Sequence, residues 1–281
     1  MTDLFDFAPP PPLYAVMGNP VEHSLSPQIH TMFARQFDMQ IDYRRIQVDV
    51  GGFAQAVDAF RAERGQGLNV TVPFKVEAWE LADQRTARAG LAGAANTLWF
   101  EGDSIHADNT DGAGLCRDIK DNLEFRLEGA GVLIIGAGGA VRGVLGPLAE
   151  ERPASVVIAN RTPDRAAALA EAFAGHAPLE AGGFDAVSGR SFNLVINGTS
   201  ASLRGELPPL PGDLFNEDAL AYDMMYGRER TPFLRWAAEH GAARVADGLG
   251  MLVEQAAESF YIWHGKRPDT APVLEKLRWG E

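Results

Sequence analysis

Cysteine is nearly missing from this chain. Cys116 is the single thiol among 281 residues, so no disulfide can form within the chain, which fits a reducing cytoplasm. Lysine is almost as scarce: Lys75, Lys120, Lys266 and Lys276 are the only four among 25 basic residues. The formal net charge is −13 and no Lys/Arg cluster stands out, so nucleic acid is not an expected partner. No uninterrupted apolar run is long enough for a bilayer span, so a membrane is not expected either. The opening stretch MTDLFDFAPPPPLY has neither the basic n-region nor the apolar h-region of a leader. It reads as a loose tail ahead of a first strand at Tyr14–Met17. No His/Cys group has metal-ligand spacing, so no metal is expected, and no Gly-x-Ser-x-Gly elbow is present.

What is there is ordinary globular composition, 46% hydrophobic and 22% charged, with a length that suggests about two domains. Strands and helices alternate throughout. YAVMG and DYRRIQVDV read as strands, and GGFAQAVDAFRAE as a helix between them and the next strand. Ser26-Pro27 opens a helix, with Ser26 as its N-cap and Pro27 at the first helical position. NTLWFEGDSIHAD reads as a hairpin turning at Glu101-Gly102-Asp103, and Thr110 or Asp111 caps a helix that runs through Ile119. From Gly131 onward, VLII, SVVIA, FNLVIN, LAYDMMY and ARVADG are strands of a parallel, doubly wound sheet. The segment GLGMLVEQAAESFYIWHG carries Leu249, Leu252, Val253, Ala256, Phe260 and Trp263 on one stripe and is expected to return to the first domain.

Several short stretches carry chemistry. In GLNVTVPFK the apolar parity is Leu68, Val70 and Val72, and Asn69, Thr71 and Lys75 form the polar one. Alternate strand side chains point to opposite faces, so these three share a side. An edge strand with one wet face gives the same pattern, and the stretch alone leaves both readings open. Ser24 and Ser26 precede a helix N-terminus, where a carboxylate can accept from both hydroxyls; capping alone accounts for only one of them. His23 and His30 nearby are given no role. GAGGA, Gly136, Ala137, Gly138, Gly139 and Ala140, follows a strand and opens a helix, the context in which a glycine turn binds a dinucleotide pyrophosphate. The pattern departs from the strict fingerprint at Val141. At the end of the next strand NRTPDR supplies Asn160, Arg161, Thr162 and Arg165, where NAD-binding proteins place an acid. Two guanidiniums suit a ribose 2′-phosphate, which points to NADP. Asp111, in NTDG, falls at the junction of the two regions, and NGTS, Asn197–Ser200, falls at the carboxyl edge of the sheet, where cofactors bind.

Taken in order, GNPVEHSLSPQIH, NVTVPFK, AANTL, DNTDG, GAGGA, NRTPDR, YDMMY and GLGMLVEQA resemble the shikimate dehydrogenases over nearly the whole chain after the proline tail. The resemblance implies NADP-dependent, reversible reduction of 3-dehydroshikimate to shikimate. It also implies an N-terminal α/β substrate-binding domain plus a Rossmann-type NADP-binding domain, with the C-terminal helices returning to the first domain. The expected boundaries are 1–111 with 248–281, and 112–247. By motif, Lys75 and Asp111 resemble the catalytic pair. Ser24, Ser26 and Tyr226 resemble the carboxylate grip, and Asn69, Thr71, Asn96 and Gln255 the ligands of ring hydroxyls and their neighbours. Met224 and Gly248 resemble positions lining the nicotinamide. The expected partner is the small-molecule substrate, in a cytoplasmic monomer or homodimer. A relative acting on quinate as well, often with NAD, is the nearest alternative; an acid tends to stand there where this chain has Asn160-Arg161. A nucleotide-binding regulator without turnover is another, and would be expected to lack Lys75 or Asp111.

Overall fold

The structure is a computed structural model that describes residues 9–176, 178–199, 201 and 205–280. Most of the acidic tail, and Ser200 of NGTS, lie outside the described residues.

The first sheet is built from β1 (Leu13–Gly18), β2 (Asp42–Gln47), β3 (Gly65–Val70), β4 (Gln84–Arg85), β5 (Thr97–Glu101) and β6 (Ser104–Asp108), in the order β2-β1-β3-β5-β6-β4. β1 is buried at every residue and runs parallel to β2 and β3 on either side, as a continuous apolar run in a parallel sheet should. The expected hairpin is β5–β6, pairing antiparallel with Glu101 opposite Ser104. Helices α1 (Ser26–Arg35), α2 (Phe53–Ala62), α3 (Lys75–Leu81) and α4 (Ala87–Ala92) connect these strands. α5 (Asp111–Arg117), prolonged by one π-helical turn over Asp118–Asn122, leads to the second sheet.

There β7 (Gly131–Ile135), β8 (Ser155–Ala159), β9 (Leu179–Gly182), β10 (Phe192–Asn197), β11 (Phe215–Asp223) and β12 (Arg244–Asp247) lie in the order β12-β11-β10-β7-β8-β9, every pair parallel. Helices α6 (Gly139–Glu150), α7 (Pro163–Ala172) and α8 (Pro232–Glu239) belong to this half. Chain order reverses between β7 and β10, and a doubly wound sheet opens a ligand crevice at the carboxyl ends of such strands. The sheet is covered on both faces: Val132, Ile134 and Ile158 pack towards α5 and α6, and Leu133, Val157 and Val195 towards α8.

α9 (Leu249–His264) returns the chain to the first half, as its apolar stripe implied, and α10 (Ala271–Trp279) follows. Val253, Ala256 and Phe260 of α9 form one cluster with Ile29 and Phe33 of α1 and Val273 of α10. Full burial of a ring such as Phe260 is worth about 1.5–3 kcal/mol.

Three local expectations are corrected. β3 stops at Val70, so Lys75 does not sit on the strand; Phe74 N–H bonds to Thr71 O at 3.0 Å, the chain turns, and Lys75 is the first residue of α3. Ser26 is the first residue of α1 rather than its cap: Leu25 holds the N-cap position with no side-chain cap, and Ser24 Oγ accepts the Ser26 N–H at 3.3 Å. β11 ends at Asp223, whose carboxylate takes the Met225 N–H at 3.0 Å and turns Met224, Met225 and Tyr226 out of the strand.

Candidate active site

Lys75 and Asp111 meet at the start of α3 and α5, with Lys75 Nζ donating to Asp111 Oδ2 at 2.5 Å. Each comes from a turn fixed by its neighbours. Asn109 Oδ1 accepts the Asp111 N–H at 3.1 Å, and Asn109 Nδ2 donates to Ala94 O at 3.0 Å. The other Asp111 oxygen accepts from Asn96 Nδ2 at 2.7 Å. Asn96 is the hub of this corner: its amide also donates to Thr110 Oγ1 and Gln255 Oε1, and its oxygen accepts the Thr110 N–H at 2.9 Å. The carboxylate is therefore held on both oxygens, and the ammonium keeps donors to spare.

This pair lies in a cleft of about 340 Å³. The same cleft collects Ser24, Ser26, Asn69, Thr71, Asn96, Tyr226 and Gln255, together with Met224 and Gly248. Ser24 and Ser26 hydroxyls stand 3.2 Å apart, and Arg45 Nε holds the loop by donating to Ser24 O at 2.8 Å. Partial enclosure of Tyr226 raises its phenol above the usual range. His23 lines the cleft, whereas His30 is buried beneath it, its ring pushed down to about 3 by burial and then by His264. The apolar walls, Val16, Val21, Met225, Met251 and Leu252, were not marked as site residues in the sequence. Met225 stands in YDMMY, and Met251 and Leu252 in GLGMLVEQA, but nothing in their spacing separates a wall from a core position.

A second cleft, of about 280 Å³, opens at the carboxyl ends of β7, β8 and β10. Gly136, Ala137, Gly138, Asn160 and Arg161 line it, along with Phe184, Gly198, Thr199 and the Leu207–Pro208–Pro209 segment. Gly136 has φ +108°, a conformation that favours glycine. A side chain at Gly138 or Gly139 would meet no protein atom, and both glycines and Ala140 are exposed at the start of α6. That open backbone at a helix N-terminus fits a pyrophosphate. Val141, the departure from the glycine fingerprint, is buried with its methyl over Gly198, where a Cβ would lie 2.4 Å away. The NGTS glycine thus makes room for the larger residue. Asn160 Nδ2 donates to Thr162 O at 2.9 Å, shaping the turn that presents Arg161. Arg161 and Arg165 are exposed, and among the described residues neither forms an ion pair. Two unpaired guanidiniums at a helix start fit a dianionic phosphate. Thr162 is the N-cap of α7, and Arg165 lies on its first turn without lining the cleft.

Residues 16–98 match the shikimate dehydrogenase substrate binding domain, 118–203 the shikimate / quinate 5-dehydrogenase model, and 248–278 the shikimate 5′-dehydrogenase C-terminal domain. A shikimate dehydrogenase (NADP(+)) of Alkalilimnicola ehrlichii is 60% identical over 94% of this chain and 98% of its own. The chain belongs to the shikimate dehydrogenase family. Among solved structures of similar fold, an Ael1 enzyme from Pseudomonas putida superposes with a TM-score of 0.91 at 50% identity, covering 95% of this chain and 98% of that one. The shikimate 5-dehydrogenase of Thermus thermophilus, solved in complex with NADP(H) and shikimate, gives a TM-score of 0.85 at 32% identity, over 95% and 99% of the two chains. Among the described residues of this family member, no helix is long and apolar enough to cross a membrane, and no group of three or more His, Cys, Asp or Glu side chains is placed to hold a metal.

Proposed function

We propose that this chain catalyses the NADP-dependent, reversible reduction of 3-dehydroshikimate to shikimate, on the shikimate pathway to chorismate and the aromatic amino acids. The observation that carries the proposal is the Lys75–Asp111 pair inside a cleft that also holds two serine hydroxyls, Ser24 and Ser26. NADP(H), when bound, supplies or accepts the hydride. Lys75 gives a proton to the ketone oxygen as it becomes a hydroxyl, and takes it back in the reverse direction. Its ammonium also stabilises the charge developing on that oxygen. Asp111 holds the lysine and a substrate hydroxyl in register. Ser24, Ser26 and Tyr226 bind the carboxylate, while Asn69, Thr71, Asn96 and Gln255 surround the ring hydroxyls. Gly136 to Ala140 cradle the pyrophosphate, Asn160, Arg161, Thr162 and Arg165 bind the 2′-phosphate end, and Met224 and Gly248 flank the nicotinamide. The substrate domain comprises 1–111 and 248–281 and the NADP domain 112–247. The first sheet falls inside the former range and the second inside the latter. The protein acts as a cytoplasmic monomer or homodimer; its single, buried thiol suits that compartment.

The test is the absorbance of NADPH on adding shikimate and NADP to the folded protein. The expected outcome is a rise that reverses with 3-dehydroshikimate and NADPH. A folded preparation giving no change would replace this proposal with a non-catalytic nucleotide-binding role.

A further inference from the structure

Asn69 faces the substrate cleft, yet most of its amide is engaged with the protein. Its nitrogen lies 3.3 Å from the Asn96 carbonyl oxygen, 3.0 Å from Ser259 Oγ and 3.3 Å from Thr97 Oγ1. A backbone carbonyl can only accept, so the atom beside it must be the nitrogen. Ser259 Oγ is free to accept, because its proton reaches back to Gln255 O at 3.1 Å. The amide oxygen is then the atom facing Tyr43, and the Tyr43 hydroxyl, 2.7 Å away, must be the donor. Both amide protons are spent on the scaffold, and one lone pair of Oδ1 remains.

Tyr43 comes from β2, 26 residues before Asn69, and its ring stacks on buried His30 with centroids 4.6 Å apart and planes 13° apart. Among the described residues neither nitrogen of that imidazole makes a hydrogen bond by distance and angle. The Asn69 side chain is close enough only to oppose, as the smallest contribution, the fall in its pKa, so His30 serves the tyrosine as a flat support. Burial keeps the phenol well above its usual range, so the hydroxyl retains its proton.

We infer that Tyr43 is a positioning residue that locks Asn69 as a hydrogen-bond acceptor only, so that Asn69 selects a non-reacting ring hydroxyl able to donate. The inference rests on the proposed reaction, in which C3 is the reacting carbon and the C4 and C5 hydroxyls are the candidates.

The test is steady-state kinetics of Tyr43→Phe, which keeps the ring on His30. KM for shikimate should rise about tenfold, the equivalent of one lost hydrogen bond. The kcat should change less than about threefold, and KM for NADP should not move, a split that a general loss of structure would not give. With shikimate analogues carrying fluorine at C4 or C5, which cannot donate, the penalty of the variant should vanish for one of the two. An unchanged KM, or an equal penalty on every substrate, would overturn the inference. If the variant does not fold, the parent decides: one fluoro analogue must bind about tenfold more weakly than shikimate, and equal binding of both would refute acceptor-only selection. A parent that turns over no shikimate at all refutes the proposed reaction instead, and this inference with it.

Discussion

Lys75 and Asp111, 36 residues apart in sequence, each begin a helix, and their charged ends meet at 2.5 Å. The two placements are electrostatically opposite. A carboxylate at a helix N-terminus is stabilised by the macrodipole, whereas an ammonium there is opposed by it. Lys75 thus occupies a position that helix formation disfavours, held by the carboxylate across the gap. Asp111 in turn has its second oxygen fixed by Asn96, so the pair has one arrangement in which the ammonium faces the cleft. Such an arrangement suits proton transfer to a fixed point better than it suits stability.

Removing the ammonium should therefore cost turnover more than folding. Lys75→Ala is expected to lower kcat by about a hundredfold or more, the usual scale for a general acid–base group. Shikimate binding, measured by calorimetry, should change far less. Near-parental turnover would take Lys75 out of the mechanism.

Anchoring of the substrate carboxylate gives a different signature. Ser24 Oγ accepts the Ser26 N–H and donates its proton to Ser26 Oγ across 3.2 Å, a long contact that a carboxylate can take over. Ser24→Ala should weaken shikimate binding by on the order of 1–3 kcal/mol, as for a hydrogen bond to a charged group. The methyl ester of shikimate should be a poor substrate for the parent. Equal binding of acid and ester would place the grip elsewhere.

His30 makes a prediction about acid stability. Burial, reinforced by His264, lowers its pKa from the ordinary 6.5 to about 3 in the folded protein. Below pH 6.5 the unfolded chain takes up a proton that the native site refuses. The stabilisation is complete above that pH and is lost as pH falls towards 3. Between pH 6.5 and pH 5 the loss is about 2 kcal/mol. His30→Leu should flatten the fall of the urea midpoint over that interval relative to the parent, whatever its stability at pH 7. A parallel fall in both proteins would show that His30 does not set the acid limb.

The parts of the site legible in sequence were those whose meaning is local. A glycine turn between strand and helix, two arginines after a strand and paired serines before a helix each carry their chemistry within a few residues. The period-two argument applies to Asn69, the last polar residue within β3; Thr71 lines the same cleft from just beyond the strand's end, and Lys75 reaches it from a helix instead. β4 and β9, with two and four residues, are too short for alternation to register. Tyr43 was invisible because its meaning depends on Asn69, and Ser259 lies 190 residues beyond Asn69. Phe184 and Asn109 are likewise defined by what the fold brings beside them, the second cleft in one case and the Asp111 backbone in the other.

The role proposed for Arg161 in cofactor choice can be separated from everything else. Arg161 lines the second cleft at the end of β8, where an acid would hold a free ribose hydroxyl, and Arg165 follows on the first turn of α7. Positive charge at a helix start is unfavourable unless an anion neutralises it. A 2′-phosphate, close to a dianion at neutral pH, does so and adds charge-assisted hydrogen bonds. Arg161→Ala removes those bonds together with any stacking of the guanidinium on adenine. NAD carries the adenine but not the phosphate, so it loses the stacking alone. NADP binding should therefore weaken by roughly ten- to a hundredfold and NAD binding by much less. Because both arginines are exposed, the difference should shrink as salt is raised. The measurement is the NADP/NAD ratio of kcat/KM for parent and variant at two ionic strengths. A parent that prefers NAD, or a ratio that Arg161→Ala leaves unchanged, would shift the 2′-phosphate site away from this turn and favour an enzyme of the quinate-using, NAD-dependent kind.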